Sequence, residues 1–124
     1  MKQILVVAPP GRLQEGLQAL LATLSDTAVA VVTDAGAAAL SVPLPRPQLV
    51  IVARDDAVHT ISTLVCQWPR ACFLALIEHE WQEQAVEAAG ADAVVVEGIP
   101  ATRLLALVQD LLAGTSTDPL EVRR

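Results

Sequence analysis

Five short runs of apolar residues, at 4–8, 29–32, 49–53, 73–77 and 93–96, limit what this chain can fold into more than any other feature. The first reads Ile4-Leu5-Val6-Val7-Ala8 and is closed by Pro9-Pro10-Gly11. A strand with a wet face alternates apolar with polar residues; a run without that alternation belongs to a strand covered on both sides. Helical or small-residue stretches separate each run from the next. Alternation of this kind predicts parallel pairing, right-handed crossovers and helices on both faces of one α/β sheet.

Five helices are expected between and after the strands. Leu13, Leu17, Leu20, Leu21 and Leu24 recur at helical spacing, with Gln14, Glu15 and Gln18 off that stripe. A second, short helix is expected over 35–40, interrupted by Gly36 and stopped by Pro43, Pro45 and Pro47. The third shows Val58, Ile61, Leu64, Val65 and Trp68 on one stripe, the fourth Trp81, Ala85, Ala88 and Ala89, and the fifth Leu104, Leu107, Val108 and Leu111. Residues 1–113 read as one domain. From Gly114 the chain turns polar through Asp118-Pro119 to Arg123-Arg124, as a tail or linker does.

The apolar content of 53% is too high for disorder, yet no run reaches the roughly 18 residues of a membrane span. Lys2 and the short run ending at Pro9-Pro10 do not make a secretory signal, so a soluble cytoplasmic protein is expected, without a membrane segment. Eight basic against fourteen acidic residues give a net charge of −6, which argues against direct nucleic-acid binding. Cys66 and Cys72 lack redox or zinc spacing and read as buried packing residues, and His59 and His79 have no ligand-spaced partner, so no metal site is expected. Pro9 and Pro10 remove two amide donors from the loop after the first strand, leaving Gly11 as a weak phosphate-loop signal; no cofactor is expected.

The stretch from Glu87 to Gly98, E-A-A-G-A-D-A-V-V-V-E-G, resembles the passage from fourth helix to fifth strand in bacterial response-regulator receiver domains of the CheY-like type. Residues 2–7 resemble that family's opening strand and Pro47 to Ala53 its third, so the similarity spans nearly the whole chain. The resemblance implies a flavodoxin-like, doubly wound five-stranded sheet in the order 2-1-3-4-5. It also implies a phosphorylation site, with an acceptor aspartate ending the third strand, Mg²⁺ held by acids after the first, and a hydroxyl and a lysine assisting. Each of those positions differs here. Ala8 and Pro9 replace the acid pair, Ala53 the acceptor, Ile77 the hydroxyl residue and Glu97 the lysine. Gly98 follows where the family has proline, Val94 takes the place of the switch aromatic, and the connection after Ile77 is about two residues short. Such a chain resembles a degenerate member, a pseudoreceiver.

Asp55 and Asp56 are read as starting the third helix, where carboxylates meet free backbone donors, rather than as a displaced acceptor. Glu78 and Glu97 are expected near one another at the carboxyl end of the sheet, within reach of Arg54, either as an arginine–carboxylate contact in the old phosphate site or as solvated loop charges. Leu105 and Leu112, one heptad apart, widen the apolar face of the fifth helix, while Glu83 and Glu87 form an acidic strip on the fourth. With Val94 these residues mark a candidate partner surface, because receivers commonly pair through helix four, strand five and helix five. The expectation is a phosphorylation-independent domain of bacterial signalling or transcription control, acting through a protein partner, a fused output domain or a homodimer. The alternative is a small-ligand sensor using the crevice lined by Ala8, Ala53 and Ile77. Catalysis is not expected, since no nucleophile–base pair, metal set or phosphate loop can be named.

Overall fold

The computed structural model describes residues 2–24, 27–33, 47–53, 56–68, 70–96, 98 and 100–112. Strand β1 (Lys2–Val7) pairs in parallel with β2 (Thr27–Val32) on one side and β3 (Leu49–Val52) on the other. Beyond β3 lie β4 (Cys72–Ile77) and then β5 (Ala93–Val96), again parallel, giving the order β2-β1-β3-β4-β5. The register sets Ile4 opposite both Val29 and Leu49, and Leu74 opposite Ile51 and Ala93.

The continuous apolar strands divide by parity into two cores, one on each face of the sheet. On one face Ile4, Val6, Ala8, Leu49, Ile51, Leu74 and Leu76 meet Leu17 and Leu21 of α1 (Arg12–Leu21) and Leu104, Val108 and Leu111 of α4 (Ala101–Leu112). On the other, Leu5, Val7, Val50, Val52, Phe73 and Ala75 meet Ile61 and Leu64 of α2 (Ala57–Gln67) and Val86 of α3 (Glu83–Ala89), with Trp68 alongside. Each fully buried Leu, Ile, Val or Phe contributes about 1.5–3 kcal/mol, which is why the middle strands tolerate no polar residue on either face.

Four α-helices stand among the described residues, and α2, α3 and α4 are the helices expected third, fourth and fifth. The expected helix over 35–40 and the tail from 114 lie outside the described residues.

The helices face the sheet by somewhat different stripes than their spacing suggests. In α1, Leu17 and Leu21 are buried while Leu13 is exposed at the first turn, ahead of the sheet's cover. In α2, Val58 is 41% exposed and the buried face uses Ala57, Thr60, Ile61 and Leu64. The largest change is in α3. Trp81 precedes it in a separate 3₁₀ turn, Glu80–Gln82, and Ala85 and Ala88 face out, so Val86 is the residue of α3 that is driven into the core. A 3₁₀ turn advances about 120° per residue against 100° in an α-helix, so a stripe counted through both loses phase.

Cys66 is exposed on α2 and Cys72 half-buried at the start of β4, contrary to the expected burial of both; Cys66 lies off the Ile61–Leu64 face. No helix among the described residues is long and apolar enough to cross a membrane.

Two residues of the Glu87-to-Gly98 stretch fix how α3 hands over to β5. Gly90 ends α3 at φ 128°, and a Cβ placed on it would fall 2.7 Å from Cγ2 of Val65, so glycine lets α3 close against α2. Asp92 then joins β4, accepting the Phe73 N–H at Oδ2 and donating its own N–H to the Phe73 carbonyl, both at 2.8 Å.

Candidate functional site

In an open α/β sheet the crevice outside the carboxyl ends of the strands is where ligands bind. Here the residues that follow β1 and β3 at that edge are small and apolar. The backbone runs on from the ladder, with the Ala8 N–H donating to the Val32 carbonyl at 3.0 Å and the Ala53 N–H to the Val7 carbonyl at 2.9 Å. Ala8 is fully buried and Ala53 is 4% exposed, and both belong to the core beneath α1 and α4. Ile77 is buried as well, but with the opposite core, under α2 and α3. The structure therefore brings Ala8 and Ala53 to one face and places Ile77 on the other.

Spacing did not single out Gln14. From the first turn of α1 its Nε2 donates to the Ala8 carbonyl at 2.9 Å in a partly buried contact. That carbonyl ends β1, beside the position from which a receiver's acids would reach a metal. Pro9 is exposed, and Gly11 starts α1 at φ 152°, without a side-chain cap. A single glutamine just inside a helix has no pattern of its own in the sequence, so nothing pointed to this bond.

After β3, Arg54, Asp55 and also Glu97 lie outside the described residues, and with them the expected contact of Arg54 with carboxylates. Asp56 stands at the start of α2, where its carbonyl accepts the Thr60 N–H at 3.0 Å and its Oδ1 the hydroxyl of buried Thr60 at 3.3 Å. Asp56 thus stands at the helix start that its sequence position indicated, but its carboxylate caps no backbone N–H there and accepts the Thr60 hydroxyl instead.

Beyond β4 the chain makes a tight turn. Oε1 of Gln82 accepts the N–H groups of Glu78 at 3.1 Å and His79 at 2.9 Å, fixing the entry to α3. The rings of His79 and Trp81 stack with centroids 5.7 Å apart and planes 9° from parallel, and Trp81 is 77% exposed. Glu78, Glu80, Glu83 and Glu87 are exposed around this turn and along α3.

The remaining candidate surface residues divide. Val94 is half-buried in β5 against the α2–α3 core, and Leu105 is half-buried on α4. Leu112 corrects the expectation of an exposed flank. It is 8% exposed and belongs to the same core as Leu17 and Leu21 of α1, the helix that shares this face of the sheet with α4. Among the described residues no three His, Cys, Asp or Glu side chains come together as a ligand set.

The chemistry open to this edge follows from side-chain identity. Ala53 carries no oxygen to accept a phosphoryl group, and neither Ala8 nor Pro9 offers a side-chain donor to a hard cation that demands oxygen ligands.

No protein-family model and no curated protein sequence matches the chain. Solved structures do match by fold. A LuxR family DNA-binding response regulator from Silicibacter pomeroyi superposes with a TM-score of 0.79 at 18% identity, over 92% of this chain and 93% of that one. The receiver domain of a sensor histidine kinase from Pseudomonas aeruginosa, with magnesium ion coordinated in its active-site cleft, gives 0.78 at 18% identity, over 90% and 98%. The RcsB response regulator of Salmonella typhimurium gives 0.75 at 15% identity over 91% of this chain, which spans 60% of that protein. The chain thus has the fold of a response-regulator receiver domain, built with alanines at the ends of its two central strands.

Proposed function

We propose that this chain is a phosphorylation-independent regulatory domain, a receiver scaffold that acts in a signalling or transcription pathway by docking to a protein partner or an attached output domain. The observation that carries the reading is the apolar end of β1 and β3: Ala8 and Ala53 are buried side by side in one core, and the Ala8 carbonyl is already bonded by Gln14. A phosphorylation switch needs oxygen ligands and a nucleophile at those positions. The likeness to response regulators supports a role in regulation, and the relative in which a receiver is one part of a longer chain supports an attached output domain. The face formed by α3, β5 and α4, carrying Glu83, Glu87, Val94 and Leu105, is the proposed docking side; homodimerisation belongs to the same reading through its apolar part, Val94 and Leu105, and not through the acids of α3. The lack of direct DNA contact in this reading fits the charge of −6, and a cytoplasmic location goes with the likeness to response regulators. The small-ligand reading has less support, since the residues that motivated it, Ala8, Ala53 and Ile77, are all buried.

An amide NMR titration with Mg²⁺ and then beryllofluoride tests this. The expected result is no saturable shift at Ala8, Gln14 or Ala53. Saturable shifts there would overturn the proposal and make Asp55 or Asp56 the acceptor to mutate.

A further inference from the structure

From Arg70 to Arg103 the chain runs without a lysine or arginine between them, while carrying Glu78, Glu80, Glu83, Glu87, Asp92 and Glu97. These six carboxylates equal the whole formal net charge of −6, so acids and bases balance over the rest of the chain. Within this segment stands the most exposed large apolar side chain among the described residues, Trp81, stacked on His79. Gln82 ties the turn together by accepting two backbone N–H groups, one of them from His79 itself. Glu78, Glu80 and Glu83 are exposed within three residues of the indole along the chain.

We infer that the His79–Trp81 stack and its carboxylate rim form a docking platform for an arginine-bearing segment of a partner protein. The inference rests on the regulatory reading above and names the partner's chemistry. A guanidinium stacks on an indole face by cation–π attraction and, being planar, can at the same time donate paired hydrogen bonds to a carboxylate. The surrounding acids raise the local concentration of cations and steer them to the turn. A second copy of this chain does not suit the platform, because an isologous contact sets the same acidic patch against itself. Nucleic acid is repelled for the same reason, and a metal ion would require a ligand set, of which the described residues hold none.

The test uses the full chain, labelled with ¹⁵N and titrated with a short capped peptide alternating alanine and arginine, and with the same peptide carrying neutral citrulline for arginine. The arginine peptide should shift the Trp81 indole N–H and the amides of Glu78 to Glu83 saturably while leaving the indole of buried Trp68 in place; the citrulline peptide should shift neither. Trp81→Ala, which removes an exposed side chain outside the helix, should weaken binding read from those amides about fivefold, with Trp81→Phe in between. Glu80→Gln with Glu83→Gln should weaken it similarly and flatten its salt dependence. An unmoved Trp81 indole overturns the platform, as does an affinity that Trp81→Ala leaves unchanged, which marks diffuse charge attraction. The parent reading is scored separately: a silent beryllofluoride titration with a failed platform leaves a regulatory domain that docks elsewhere, whereas a response to beryllofluoride removes the parent reading whatever the peptide does.

Discussion

A methyl group at position 90 has no room. It would sit 2.7 Å from Cγ2 of Val65, on a backbone at φ 128° that L-residues rarely adopt. Gly90→Ala should therefore lower stability by about 2–3 kcal/mol in urea unfolding, and Val65→Ala in the same chain should recover the steric part but not the backbone part. Asp92 makes a different kind of join. Asp92→Ala strands the Phe73 N–H at the mouth of β4 and should cost about 1–2 kcal/mol, while Asp92→Asn, which keeps an acceptor, should cost less. Both residues belong to the stretch that was legible only as a resemblance to the helix-to-strand passage of receivers; what each does to the backbone comes from the structure. Gln14 was not legible: its bond to the Ala8 carbonyl depends on where α1 lies over the end of β1, which local spacing does not encode.

Among the elements, strands were easier to read than helix faces. The five strands stood out because each is apolar on both sides, and their burial leaves no second way to lay them. Helix stripes rest on a softer count. In α3, seven residues long and rich in alanine, Trp81 dominates any tally of apolar spacing and yet stands outside the helix. Leu112 misled for a related reason, since a flank that looks spare from one sheet is filled by the neighbouring α1. The contrast is measurable. Val86→Ala empties a fully enclosed site and should destabilise by about 2 kcal/mol, whereas Trp81→Ala, though it deletes a far larger side chain, should change stability by less than about 0.5 kcal/mol in the same urea assay.

Taken whole, the molecule keeps the receiver's layers with Ala8 and Ala53 buried in one core, and returning one residue is not expected to restore a switch. Ala53→Asp places a carboxylate at a site 4% exposed beside the Ala8 methyl. Burial raises that carboxyl's folded pKa above its unfolded value near 3.9. The folded state then binds more protons than the unfolded state between the two values, so stability falls as pH rises through that window. The variant should be less stable than the parent at every pH, by about 1–3 kcal/mol below about pH 4, where the carboxyl is neutral but still buried, and by about 2 kcal/mol more near pH 7, as read by thermal unfolding across pH. Beryllofluoride should still leave its amides unshifted, because position 8 offers no ligand.

The placement of the two tryptophans also decides what light can report about this protein. The chain has no tyrosine, so its ultraviolet emission comes from Trp68, enclosed beside α2, and Trp81, open to water. On unfolding, Trp68 moves into solvent and its emission reddens, while Trp81 is already there and changes little. A fluorescence melt therefore follows the packing of the α2 side of the sheet over a nearly constant background, and quenching by caesium ions, which the acids around Trp81 attract, should remove that background first, leaving an optical signal of the core alone.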